Sequence, residues 1–188
     1  MEYVVLYALA YLLSNSAPGQ EKLLVMQSPQ HLFANAIAVD FDYQLKENSY
    51  LIISPQYYFG DESSYHGSHY SDYSYLRGVG IGAANRLYLS KETPVYCSYG
   101  GMFNHFDMKV SDYNYPEDVS IKINRFTGTI MCGYQSRFAD HLYFDVYCGV
   151  GMRRSFCSNS TILLNTSTRD FGYSGTLFMG GCRIGIGF

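Results

Sequence analysis

The 188-residue sequence has no tryptophan, only five prolines and few charges, since Asp, Glu, Lys and Arg together make up 15% of it. Beyond the N-terminal stretch, no apolar run approaches the ~20 residues that a membrane-spanning helix requires. The net charge is −3, so the sequence lacks the basic excess of nucleic-acid-binding proteins. We therefore expect neither a helical membrane protein nor a nucleic-acid partner.

What the sequence does contain favours β-structure. Hydrophobic residues make up 47% of the chain, with 20 tyrosines, 12 phenylalanines and 18 glycines. Tyrosine and phenylalanine fit pleated, half-buried surfaces, and glycine allows close packing inside a curved sheet. Because the apolar residues are not massed in long runs, they must be dispersed by alternation. The length predicts one domain.

Strict alternation of apolar and polar residues is clearest in "NAIAVDFDYQL", residues 35–45. Six further segments alternate in the same way, and the connections between them are alternately short and long. "KLLVMQS", Lys22–Ser28, is the candidate for an eighth strand. Pro55 and the pair Gly100 and Gly101 indicate bulges within their strands. We predict an all-β fold, an eight-stranded antiparallel up-and-down transmembrane β-barrel with short periplasmic turns and longer extracellular loops.

The polar face of these strands carries acidic and basic residues but few Lys or Glu. Small residues and charges of opposite sign suit a narrow interior, whereas a soluble surface favours mixed Lys and Glu. A soluble ligand-binding barrel, with its apolar face inside, is the less favoured interpretation. Because a barrel of ~8 strands is only wide enough for side chains to fill, we predict a closed lumen rather than an open pore. Its charge network is predicted to comprise Asp40, Asp42, Arg86, Arg125, Asp145, Arg153 and Arg183.

The N-terminal segment is typical of an export signal. An apolar stretch from Tyr3 to Leu13 precedes Ala17 and Gly19, small residues at the −3 and −1 positions of a cleavage that would leave Gln20 first. Residues 1–19 are thus predicted to be a signal peptide and residues 20–188 a single barrel domain. A short buried helix of the mature fold is the alternative.

Five cysteines cannot all pair with one another. Cys97, Cys132, Cys148 and Cys182 each alternate in phase with the apolar residues of their own strand. There they behave as small hydrophobic side chains, which predicts free thiols rather than a disulfide framework.

The strand lengths, the alternating connections, the export signal and the terminal "CRIGIGF" resemble the small outer-membrane β-barrels of Gram-negative bacteria, the OmpA-like and OmpX-like superfamily. The resemblance is architectural, and no catalytic or ligand motif accompanies it. It implies location in the cell outer membrane, with outer-membrane lipid and the barrel-insertion machinery as partners. It also implies a C-terminal assembly signal, here matched by Ile184, Ile186 and Phe188.

Other chemistry receives little support from the sequence. His66 and His69 lie in a polar segment with nearby carboxylates, but two loop histidines lack the fixed further ligands of a metal site. We expect no metal and no cofactor. A lipid-modifying enzyme would need a serine, a histidine and a carboxylate together near the outer rim. His105, Asp107 and Ser155 are the candidates for that site, and nothing in their spacing brings them together.

His141 is predicted to be an ordinary turn residue. The preferred hypothesis is a non-catalytic outer-membrane barrel that acts structurally or through an extracellular partner at its loops. A rim-sited lipid-modifying enzyme and a narrow transport barrel for ions or small solutes are the alternatives.

Overall fold

The structure is a computed structural model that describes residues 21–33, 35–61, 71–90, 93–112, 119–158 and 174–188. Eight antiparallel strands close into one barrel in chain order, which confirms the predicted fold. A short helix, α1, connects the first two strands. The elements are β1 (Leu23–Gln27), α1 (Gln30–Phe33), β2 (Ala36–Lys46), β3 (Ser49–Asp61), β4 (Ser71–Tyr88), β5 (Val95–Asp112), β6 (Val119–Ala139), β7 (Leu142–Cys157) and β8 (Gly175–Gly187). No helix in the described part of the chain is long and apolar enough to cross a membrane.

The last strand pairs with the first and thereby closes the wall. Val25 lies opposite Ile186 in the β1–β8 ladder. Beyond the ladder, the Leu23 N–H donates to the Phe188 carbonyl at 3.3 Å, and the Phe188 N–H donates to the Leu23 carbonyl at 2.9 Å. β1 is only five residues long, so this seam is much shorter than the β7–β8 ladder, which runs from Leu142 to Arg153 on β7.

The two ends of the barrel differ in their connections. One end, here called the turn end, carries the short links β2–β3, β4–β5 and β6–β7, together with Phe188. His141 lies in the β6–β7 turn, as predicted. The opposite end, the loop end, carries the links β1–β2, β3–β4, β5–β6 and β7–β8, of which β3–β4 and β7–β8 are the longest. There the strands extend into the polar segment that holds His66 and His69, because β3 continues through Asp61 and β4 begins at Ser71.

The outward face of the wall is apolar. Phe178 is 89% exposed, Met152 73% and Ile130 64%, and each strand from β2 to β8 carries exposed large apolar side chains. By contrast, the inward-pointing Arg86 and Asp145 are fully buried. A wall with hydrocarbon outside and charges inside suits lipid as its surroundings, and it is the reverse of a soluble barrel.

Both predicted bulges are wrong. The β3–β4 register runs unchanged through Pro55, and the β2–β3 register is the same on both sides of it. The β2–β3 ladder has a gap between the pair Ala38–Gln56 and the pair Phe41–Ile53. Pro55, which has no N–H to donate, lies in this gap and does not shift the register. Gly100 and Gly101 continue regular ladders on both sides of β5.

Two predictions concern segments outside the described residues. These are the signal peptide at 1–19 and the polar segment that holds His66 and His69. Both stay predictions.

Candidate functional site in the barrel lumen

Five charged side chains meet in the turn-end half of the lumen. Arg86 lies between two carboxylates, with 2.8 Å from Nη1 to Asp42 Oδ2 and 3.1 Å from Nη2 to Asp145 Oδ2. Arg183 also bridges two, with 2.8 Å from Nη1 to Asp40 Oδ2 and 2.6 Å from Nη2 to Asp145 Oδ2. We call Asp40, Asp42, Arg86, Asp145 and Arg183 the ion cluster. Its three carboxylates face two guanidinium groups, a formal excess of one negative charge.

Tyrosines surround the ion cluster and supply part of its hydrogen bonding, whereas Arg86 Nε and Arg183 Nε donate no hydrogen bond. The Tyr96 hydroxyl donates to Asp145 Oδ1 at 2.7 Å and accepts from Arg183 Nη2 at 2.8 Å. The guanidinium of Arg86 lies 4.4 Å from the Tyr96 ring centre, and that of Arg183 lies 4.7 Å from the Tyr147 ring centre. Buried charges are tolerated where partners of this kind replace water.

One glycine makes room for this arrangement. A Cβ atom on Gly133 of β6 would collide with the hydroxyl and ring of Tyr96. Tyr96 is fully buried and held by Asp145 and Arg183, so its ring cannot move aside. The sequence pattern of glycines on the inward phase thus has a packing cause here.

The loop-end half of the lumen holds a second, different group. Arg125 donates from Nε and Nη2 to Asn104 Oδ1 at 3.3 and 3.2 Å, and its guanidinium lies 4.5 Å from the Phe106 ring centre. Asn104 in turn donates to Gln56 Oε1 at 3.1 Å. Arg153 lies on the same inner face, opposite Thr127 in the β6–β7 ladder.

Apolar side chains fill the lumen beyond Arg125. They form one buried cluster that comprises Ala36, Tyr58, Leu76, Phe106, Met108, Ile121 and Ile123. The loop end of the lumen is therefore largely apolar, which the predicted charge network does not indicate. The bulge predicted at Gly100 and Gly101 leaves the phase of the rest of β5 undefined, whereas the register there is regular.

Helix α1 folds over the inner side of β8, where β1 has already ended. The Gln30 side-chain amide donates to the Tyr147 hydroxyl at 3.0 Å, and the Cys182 thiol lies 3.9 Å from Gln30 Oε1. Gly181 permits this approach, because a Cβ atom there would collide with the Gln30 amide. A cavity of about 90 Å³ lies beside the helix, lined by His31, Asp40, Met102, Met131, Met179 and Arg183 among others.

The structure thus divides the seven predicted lumen residues. It brings five into the ion cluster and places Arg125 and Arg153 in the loop-end half. Sequence reasoning missed the partners Tyr96, Asn104 and Gln30. The inward phase of β5, which Tyr96 and Asn104 share, was the only feature of the sequence that could have placed them in the lumen. For Gln30 the alternation gives no indication, because this residue lies outside the strands.

The residues considered for a rim enzyme are kept apart. His105 and Asp107 point outward on β5, where the His105 ring Nδ1 lies 2.7 Å from Asn124 Oδ1 and the Ser120 hydroxyl donates to Asp107 at 3.3 Å. Ser155 lies opposite Arg125, on the inward phase of β7. The wall therefore separates the serine from the histidine and the carboxylate. Within the described ranges, no group of three His, Cys, Asp or Glu side chains is placed to hold a metal ion.

Ile184, Ile186 and Phe188 all point outward at the turn end and are 46%, 46% and 67% exposed. In the structure they lie on the outward face of the wall, beside the seam between β1 and β8. Their role as an assembly signal stays a prediction.

By fold and polarity, the molecule belongs to the class of membrane-spanning β-barrels with a filled lumen. No protein-family model matches the sequence, and no curated protein matches it. Two solved barrels from Acinetobacter baumannii are similar in structure. CarO is 8% identical, with 89% of this chain and 98% of CarO covered and a TM-score of 0.49. CarO2 is 10% identical, with 90% and 99% covered and a TM-score of 0.38. Because both TM-scores lie below 0.5, neither likeness decides the function of this chain.

Proposed function

We propose that this chain is an outer-membrane β-barrel protein of the small OmpA-like and OmpX-like type, and that it acts structurally or through its extracellular loops. The turn end would face the periplasm and the loop end the cell exterior. Outer-membrane lipid would surround the wall, the barrel-insertion machinery would assemble it, and a partner would be met at the loops. The observation that carries the proposal is the polarity of the wall, with Phe178, Met152 and Ile130 exposed and Arg86 and Asp145 sealed inside.

The filled lumen supports a non-conducting role. Four guanidinium–carboxylate pairs and the surrounding tyrosines occupy the turn-end half, and apolar side chains occupy the loop-end half. A solute would have to disrupt both groups to pass. The separation of Ser155 from His105 and Asp107 likewise favours a non-catalytic protein over a rim-sited enzyme.

Two measurements test the proposal. In a denaturing gel of the membrane fraction, we expect unboiled protein to migrate differently from boiled protein, because a closed barrel resists the detergent until heated. Recovery wholly in the soluble fraction, with no heat-dependent shift, would contradict the membrane location.

In planar bilayers, we expect the purified barrel to give no steady conductance. Reproducible single-channel steps would instead support the narrow transport barrel. An Arg86→Ala variant that retains the gel shift should also give no conductance, because the apolar cluster still fills the loop-end half of the lumen.

A further inference from the structure

Three cysteines form a row on the outer face of the wall. Cys97 of β5 lies directly opposite Cys132 of β6, which lies directly opposite Cys148 of β7. All three are exposed and none is in a disulfide in this structure. The Sγ atoms of Cys97 and Cys132 are 3.2 Å apart. Cys132 therefore has two potential disulfide partners, and backbone geometry distinguishes between them.

The β5–β6 ladder favours the first pair. The Gln135 N–H donates to the Pro94 carbonyl at 2.9 Å, and these two residues continue the β5–β6 register by one position. Hydrogen-bonded and non-hydrogen-bonded pairs alternate along an antiparallel ladder. Cys97 and Cys132, three positions further along, are therefore a non-hydrogen-bonded pair, with Cα atoms about 4.5 Å apart and side chains close together.

The β6–β7 ladder disfavours the second pair. The Ser158 N–H donates to the Lys122 carbonyl at 2.9 Å, in the register that continues to Cys132 and Cys148. The pair Lys122–Ser158 is hydrogen-bonded, and an even number of ladder positions separates it from the pair Cys132–Cys148. Cys132 and Cys148 are therefore also a hydrogen-bonded pair, with Cα atoms about 5.5 Å apart. Opposed Cβ atoms are roughly 4.5–5.5 Å apart and are closer in non-hydrogen-bonded pairs. A disulfide needs Cβ atoms roughly 3.5–4.5 Å apart, which only the first pair approaches.

We propose that Cys97 and Cys132 are a disulfide-forming pair that covalently joins β5 to β6, with Cys148 excluded. One thiolate attacks a donor disulfide and releases one donor thiol. The second thiolate then attacks the mixed disulfide and releases the other donor thiol. The two cysteines are oxidised, the donor disulfide is reduced, and two protons leave the cysteine thiols. In the cell, the inference rests on the proposed export, because a periplasmic dithiol oxidase would supply the donor disulfide.

The test uses the reduced, full-length barrel in detergent micelles with dipyridyl disulfide, a small apolar donor that reaches micelle-covered thiols. A solitary cysteine retains one pyridyl group, whereas a paired cysteine loses it to its neighbour. We expect an intact mass with three pyridyl adducts and one internal disulfide, and a cross-linked peptide that contains Cys97 and Cys132. Five adducts, or a peptide that joins Cys132 to Cys148, would overturn the proposal.

Matched variants define the pair. Cys148→Ser should keep the internal disulfide and show two adducts, whereas Cys97→Ser should lose the disulfide and show four adducts. A disulfide in Cys97→Ser would contradict the geometric argument. The heat-dependent gel shift is recorded for every variant. Loss of the shift would show that the barrel has not folded, whereas the number of adducts shows whether the disulfide has formed. A normal shift with five adducts would therefore refute this inference and leave the proposed function standing.

Discussion

At the scale of single residues, the excess carboxylate of the ion cluster makes its members unequal. Removal of a guanidinium group increases the buried charge imbalance, whereas neutralising one carboxylate reduces it. Asp40 and Arg183 are suited to show the difference, because they contact each other at 2.8 Å and are both largely buried.

We expect Arg183→Gln to destabilise the barrel by about 3–5 kcal/mol, the cost of leaving a buried charge without its partner. Asp40→Asn should cost less, because the cluster then has two carboxylates and two guanidinium groups. The double variant should recover part of the stability lost in Arg183→Gln. Urea unfolding in micelles, followed by the gel shift, measures all three.

The outward Arg154→Gln is the control, because this side chain is exposed and lies 5.5 Å from the Phe156 ring centre. It should change stability by less than about 1 kcal/mol. Equal losses for Arg183→Gln and Arg154→Gln would contradict a buried role for the cluster.

Two glycines of β6 offer a second comparison at this scale. An added Cβ atom would collide with Tyr96 at Gly133, whereas it would meet no atom within 4 Å at Gly128 on the outer face. We predict that Gly133→Ala lowers the free energy of unfolding by roughly 1–3 kcal/mol, because the added methyl group overpacks the lumen, and that this lowers the midpoint of urea unfolding. Gly128→Ala should have little effect. A Gly133→Ala barrel as stable as the native one would show that Tyr96 can move, contrary to its tight hydrogen bonding.

At the scale of elements, β8 combines an inner and an outer role. Its inward phase supplies Arg183 to the ion cluster, and its outward phase carries Phe178 and Phe188. These two aromatic residues differ in position: Phe188 lies beside the seam with β1, and Phe178 lies towards the loop end.

We predict that deletion of Phe188 lowers membrane assembly, because it removes an outward aromatic side chain and the two backbone bonds to Leu23. Phe188→Ala keeps the backbone bonds, so reduced assembly of this variant as well would identify the aromatic ring as the signal. Phe178→Ala is the control. The measurement is the amount of heat-shifted protein in the membrane fraction, and unchanged assembly after the deletion would contradict a terminal signal.

At the scale of the whole molecule, alternation predicted seven of the eight strands, the direction of the faces and the residues that form the ion cluster. A period of two places a side chain inside or outside, but it does not give its height in the barrel. Height depends on the register between strands, which long-range hydrogen bonds set. The sequence therefore could not separate Arg125 and Arg153 from the other five lumen residues.

The other failures also have physical causes. The inward turn of α1 depends on contacts of Gln30 with Tyr147 and Cys182, which lie more than a hundred residues away along the chain. The regular register at Gly100 and Gly101 shows that glycine in a strand marks a place for close packing as readily as a bulge.

The short seam between β1 and β8 makes the barrel mechanically weakest along one line of its wall. Every other pair of neighbouring strands shares a longer ladder, so a pulling force applied through either terminal strand meets the least resistance here. The wall would open along this line and leave β1 to β8 as one curved sheet. Strength in this molecule is unevenly distributed around its circumference, and its weakest line coincides with the place where the two ends of the described chain meet.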